Sequence, residues 1–278
     1  MSASARFMRY WPDSRGNRLE YSTITRTAEG HILWLRGPEE AARQVLALAP
    51  EYERLPASVT ANSVWTHALS STSPSPTPEV QNLLALLAEV ITLPSLSSLE
   101  FAIALDWYKI PEDDVDPQQW DNTTAGELVS IGKYRYRHDA ERQKRVGLTL
   151  VDMMCTVIER HGLLRRTTVI LDVPGHDSSR VSFGSRVAST IAFRRGIPMR
   201  RVQARSAFRP EAKNLDAAER ARILTNQFVV PYDISQRSIL IVDDVFKSGT
   251  SMNEVAKAAR QSGALTVQGI CGVRTMSR

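Results

Sequence analysis

The chain has 278 residues, enough for one large domain or two smaller ones, and its 42% hydrophobic content is that of an ordinary soluble globular protein. Its two cysteines, Cys155 and Cys271, lie far apart with no CxxC or Cys/His spacing, which argues against a disulfide framework or a structural zinc site and suits a reducing cytoplasm. The net charge of +5 is unevenly spread: residues 1–124 hold 9 Lys/Arg against 16 Asp/Glu, and residues 125–278 hold 26 against 14. A basic C-terminal half fits an anionic ligand, either a phosphorylated metabolite or a nucleic acid, unless the two halves neutralise each other across an interface.

Met1–Tyr10 lacks an apolar signal core, and the greasiest run, Leu83–Leu93, is short and carries Glu89, so no membrane segment is expected. Along the chain, Glu20–Thr25 and Ile32–Leu35 read as two short strands joined through Glu29-Gly30, followed by a helix over Pro38–Leu48. The Ser/Thr/Pro-rich stretch Ser70–Pro78 is a surface linker or loop, Pro78–Ile91 an amphipathic helix, Phe101–Trp107 a strand and Pro111–Asp116 an acidic loop. From about Thr124 the pattern is more regular. It predicts a helix over Val146–Arg160, a strand over Thr167–Val173, a helix over Phe183–Arg195 stopped by Gly196, and a weaker strand over Met199–Ala204. A charged helix over Leu215–Asn226 and a short strand over Phe228–Val230 come next. A strong strand from Ile239, a helix over Ser251–Ser262 opened by a Ser251/Glu254 capping box, and a strand over Leu265–Val273 complete the series. Alternating strands and helices imply an α/β fold with a doubly wound, mainly parallel sheet, and a separate α+β region before it. We divide the chain accordingly into an acidic region 1–124 and a basic domain 125–278.

The stretch Ile239-Leu240-Ile241-Val242-Asp243-Asp244-Val245-Phe246-Lys247-Ser248-Gly249-Thr250-Ser251 carries the chemistry. A buried strand ends in two carboxylates, and a small-residue loop then opens a helix. Carboxylates accept hydrogen bonds from vicinal hydroxyls, while loop N–H groups and a helix N-terminus favour an anion, so the segment suits a sugar phosphate. No GxxxxGK[ST] or GxGxxG occurs, which sets aside P-loop and dinucleotide-binding domains. His176 and Asp177 read as loop surface. The interleaved Trp107, Tyr108, Lys133, Tyr134, Arg135, Tyr136 and Arg137 suggest a half-buried strand more than a single-strand nucleic-acid platform.

This segment resembles the signature of type I phosphoribosyltransferases, which bind 5-phosphoribosyl 1-pyrophosphate (PRPP). By that resemblance Asp243 and Asp244 hold the ribose hydroxyls, and Lys247, Ser248, Gly249, Thr250 and Ser251 cradle the 5′-phosphate. Upstream, Lys213-Asn214-Leu215-Asp216-Ala217-Ala218-Glu219-Arg220, with Phe228 beyond, is similar to ComF-like members, over residues 125–278 in all. The loop Gly175–Arg180 stands where the family binds pyrophosphate but is shorter and lacks the usual Arg-Gly-Phe-Asn-Gln run. Arg180, Arg205, Arg209 and Lys213 are the candidates for clamping pyrophosphate, the last three where the family carries a hood. The resemblance implies transfer of phosphoribose to a nitrogenous acceptor with release of pyrophosphate, and Mg²⁺ held mainly through ligand oxygens rather than by direct protein ligands. Two rivals stay open: a PRPP or nucleotide sensor of this fold whose basic half binds nucleic acid, as the family's association with DNA uptake suggests, and a protein-interaction scaffold. A cytoplasmic homodimer is the expectation by default.

Overall fold

The computed structural model describes residues 17–112, 115–116, 118–135, 139–175, 181–205 and 226–275. A four-stranded antiparallel sheet comes first, built from β1 (Tyr21–Thr27), β2 (Gly30–Arg36), β3 (Glu53–Arg54) and β4 (His67–Ser71) in the order β1-β2-β4-β3. Two helices accompany it, α1 (Glu39–Leu48) and α2 (Pro78–Glu89), the latter capped by the Thr77 hydroxyl accepting from Val80 N–H. The chain then passes through β5 (Ile91–Thr92) and β6 (Phe101–Trp107) to α3 (Thr124–Lys133) and the long α4 (Ala140–Arg160). Next come β7 (Val169–Asp172), α5 (Phe183–Arg195), β8 (Met199–Arg200), β9 (Gln203–Ala204), β10 (Phe228–Val229), β11 (Ser238–Phe246), α6 (Thr250–Gln261) and β12 (Thr266–Arg274).

The main sheet has six strands in the order β5-β6-β12-β11-β7-β8. All its pairings are parallel except β5 against β6, so it is a mixed, mainly parallel α/β sheet with β11 and β12 at its centre. A strand buried on both faces reads as a continuous apolar run rather than as alternation, and Ile239–Val242 of β11 is one: Leu240 and Val242 enter one core cluster, Ile239 and Ile241 the other. Helices α1 to α5 cover the first face and α6 the second. Leu33, Leu35 and Leu69 of the small sheet belong to the same cluster as Val242 and Ile270 of the main one, so the two sheets share a core.

Several boundaries differ from expectation for physical reasons. The main sheet takes strands from both sides of residue 124, because β6 lies beside β12, so the change in charge there does not coincide with a break in the sheet. Helix α4 begins six residues earlier than its apolar periodicity suggests, since the Asp139 carboxylate accepts from Arg142 N–H and starts the helix on a polar turn. Met199–Ala204 is two strands: β8 pairs with β7, whereas β9 forms a separate antiparallel ribbon with β10. Lys133–Arg135 is not a strand; Lys133 ends α3 and Tyr134 is its exposed cap, while Tyr136 and Arg137 lie outside the described residues. Strand β4 runs into the Ser/Thr/Pro stretch as far as Ser71. The Leu215–Asn226 helix falls outside the described residues, apart from Asn226 in a turn. Among the described residues no helix is long and apolar enough to cross a membrane.

Candidate functional site

In open α/β sheets ligands bind beyond the carboxyl ends of the strands, and Asp243 and Asp244 stand near that end of β11, with Val245 and Phe246 continuing the strand past them. Alternation slips at this level. Val245 packs with the cluster of Leu240 and Val242, and Phe246 with that of Ile239 and Ile241, the reverse of what strict period two would give. Both carboxylates come close to the first turn of α5. A Cβ on Gly184 would lie 3.2 Å from Asp243 Oδ1 and 3.7 Å from Asp244 Cγ, so a residue without a side chain lets α5 approach the acid pair. Asp243 Oδ1 also accepts from the Asp244 N–H (2.8 Å). Burial, then the adjacent Asp244 carboxylate, hold the Asp243 carboxyl well above the usual carboxylate range.

The start of α5 is itself fixed by an acid that sequence analysis treats only as a strand residue. Buried Asp172, at the end of β7, accepts from Ser185 Oγ (2.6 Å) and from Val202 N–H (3.2 Å), while the Ser182 hydroxyl caps the helix by accepting from Ser185 N–H. The signal lay in its position, a carboxylate at the carboxyl end of a parallel strand.

Lys133 is the second group the sequence left unassigned. Its Nζ lies 3.0 Å from both Asp244 Oδ1 and Asp244 Oδ2, and the Asp244 side chain is only 7% exposed. Burial, the largest single influence, favours the neutral amine, but Asp244, Tyr134 and Asp243 together outweigh it and hold Lys133 above its usual range. The helix bearing Lys133 is pinned at its start: Thr123 Oγ1 accepts from Gly126 N–H and donates to Trp107 O at the end of β6.

Beyond the acid pair, Lys247 and Ser248 are exposed, Gly249 is buried, and Thr250 and Ser251 are half-buried. Gly249 adopts φ +76°, in the left-handed region, and a Cβ there would meet Phe246 Cζ at 2.5 Å. Phe246 is thus the floor of the loop, and the Arg274 guanidinium lies over its ring, 4.9 Å from the centroid, while donating to Lys247 O (2.9 Å). Ser248 Oγ and Thr250 Oγ1 share a hydrogen bond (2.9 Å). The expected capping box is not formed: α6 starts at Thr250 with Gly249 as its cap and no side-chain cap bond, and Glu254 instead accepts from Asn226 N–H (2.8 Å). The first N–H groups of α6 therefore have no side-chain acceptor of the kind that usually closes a helix start.

Of the pyrophosphate candidates, Arg205 follows β9, exposed, with its backbone N–H donating to Gln227 O (2.8 Å); Arg180, Arg209 and Lys213 lie outside the described residues. No family model matches the chain, and no curated protein matches it. Among solved structures, a purine phosphoribosyltransferase from Pyrococcus horikoshii Ot3 is similar over 44% of this chain and 71% of its own, at 18% identity and a TM-score of 0.31, a likeness too slight to assign the fold.

Proposed function

We propose that this chain binds PRPP and transfers its phosphoribosyl group to a nitrogenous acceptor, as a phosphoribosyltransferase of the type I, ComF-like kind. The observation that carries this is one juxtaposition. Two carboxylates near the carboxyl end of a central strand meet the same helix turn, and the strand leads directly into a left-handed glycine loop and a helix start without a side-chain cap. Asp243 and Asp244 accept hydrogen bonds from the ribose 2′- and 3′-hydroxyls, and the N–H groups and hydroxyls from Lys247 to Ser251 receive the 5′-phosphate, aided by the positive end of α6. With the ribose fixed at both ends, the bond from C1 to pyrophosphate oxygen breaks as the bond from acceptor nitrogen to C1 forms. The protein's part is positioning and charge stabilisation rather than covalent chemistry.

Mg²⁺ would be held mainly by the pyrophosphate and ribose oxygens and by water rather than by the acid pair, and would neutralise charge on the leaving pyrophosphate. Among the described residues no three His, Cys, Asp or Glu side chains gather as a metal site of their own.

Calorimetry with PRPP and Mg²⁺, followed by a pyrophosphate-release assay over a panel of nitrogenous acceptors, tests the proposal. Binding and release are expected in the wild type, and Asp244→Asn should abolish release. Binding without release for any acceptor would favour a sensor, and absence of binding would sink the PRPP site altogether. For the nucleic-acid alternative, affinity that fell steeply with salt would be the mark.

A further inference from the structure

We infer that Lys133 is a positioning residue of the sugar-phosphate site, holding the Asp244 side chain in place to accept from a ribose hydroxyl. The inference rests on the assignment of the acid pair to a ribose diol made above.

Asp244 is the more buried of the two acids, and a side chain there keeps one rotamer when a partner grips both of its oxygens. Among the described residues Lys133 does this, its Nζ within 3.0 Å of both oxygens of Asp244. A carboxylate held by two contacts is oriented before the ligand arrives, so less ordering is needed when a hydroxyl binds it. A purely structural ion pair explains the arrangement less well. Such pairs add little to stability when one partner is substantially solvated, and a third of the Lys133 side chain is exposed. Its placement is costly to arrange, too. Helix α3 is tied to the end of β6 through Thr123, and its far end packs on α5 where the Phe183 ring lies against the Gly132 backbone, next to the turn that the carboxylates meet. The ammonium thus sits where α3, α5 and β11 come together.

Two probes separate this role from a structural one: ribose 5-phosphate, which carries both the diol and the phosphate, and inorganic phosphate, which engages only the loop. Binding of each is measured by calorimetry for the wild type, Lys133→Met, Lys133→Gln and Lys133→Arg, with circular dichroism to confirm folding. Lys133→Met and Lys133→Gln should bind ribose 5-phosphate roughly tenfold or more weakly, the loss of one charge-assisted contact, while binding phosphate as the wild type does. Lys133→Arg should recover most of the difference. Should Lys133→Met fail to fold, Lys133→Gln, which keeps a donor near Asp244, carries the comparison. Equal ribose 5-phosphate affinity in wild type and the folded Met or Gln variant would overturn the inference while leaving the site intact. A parallel loss for both probes would also overturn it, marking Lys133 as structural. If the wild type prefers neither ribose 5-phosphate nor phosphate, it is the assignment of the site itself that fails.

Discussion

Gly249 carries the loop by backbone conformation alone. At φ +76° an L-residue costs about 1–2 kcal/mol, and a Cβ at 2.5 Å from Phe246 Cζ would also push on a buried ring. Gly249→Ala is therefore expected to lower unfolding free energy by about 1–2 kcal/mol and to weaken phosphate binding, read from urea denaturation and calorimetry on the same preparation. His161 makes a second prediction. Its ring is stacked on Phe101, Nε2 lies 2.9 Å from Gln44 Oε1, and Nδ1 accepts from Leu163 N–H, so both nitrogens are used by the neutral form. Burial pushes its pKa down to about 3. The unfolded chain takes up a proton near pH 6.5 and the folded chain does not, so this contribution is complete above pH 6.5 and is lost as pH falls towards 3. Stability should drop by roughly 1.4 kcal/mol per pH unit over that window, and His161→Asn should remove that slope even while lowering stability overall. A slope unchanged in the variant would show that other groups cause it.

At the scale of elements, apolar runs and stops were readable where burial dictated them. Strands β6 and β11 are two-faced and read as the unbroken apolar runs Phe101–Leu105 and Ile239–Val242, and Gly196 stands at φ +61°, where α5 ends. The acid pair and its loop were visible because strand, carboxylates and small residues are contiguous in sequence. Lys133 was not, because it meets Asp244 only through the packing of α3, and its aromatic-basic surroundings mimic a strand. Asp172 was hidden for a similar reason: its partners Ser185 and Val202 come from elements it touches only once the sheet is assembled. The Ser251/Glu254 pattern misled because a capping box competes with other donors for the same carboxylate, and here Glu254 serves the Asn226 N–H. Two-residue strands such as β3, β8 and β9 carry too few side chains to show a period.

Across the whole molecule, the charge asymmetry is partly used up internally. Arg160 pairs with Glu89, Arg165 and Arg166 with Glu79, and Arg260 with Glu100, each joining the basic half to the acidic one. Such exposed pairs contribute about 0–1 kcal/mol each, so the apolar core that both halves share is the stronger bond between them. A chain beginning at residue 125 would lack β5 and β6, leaving one side of β12 unpaired and the inner face of α4 without its partners from α2. We expect that fragment to aggregate or to stay partly unfolded, checked by circular dichroism and gel filtration; a monomeric, cooperatively folding fragment would refute this. The pairing of β6 with β12 has a kinetic consequence as well. Glu100 at the start of β6 accepts from Val267 N–H across a sequence separation of 167 residues. During synthesis β6 emerges long before its neighbour exists, so its hydrophobic edge must wait on the ribosome with no partner, and the sheet closes late. Contacts so distant in sequence slow folding, which makes this edge the place where nascent chains of this protein most need shielding from one another.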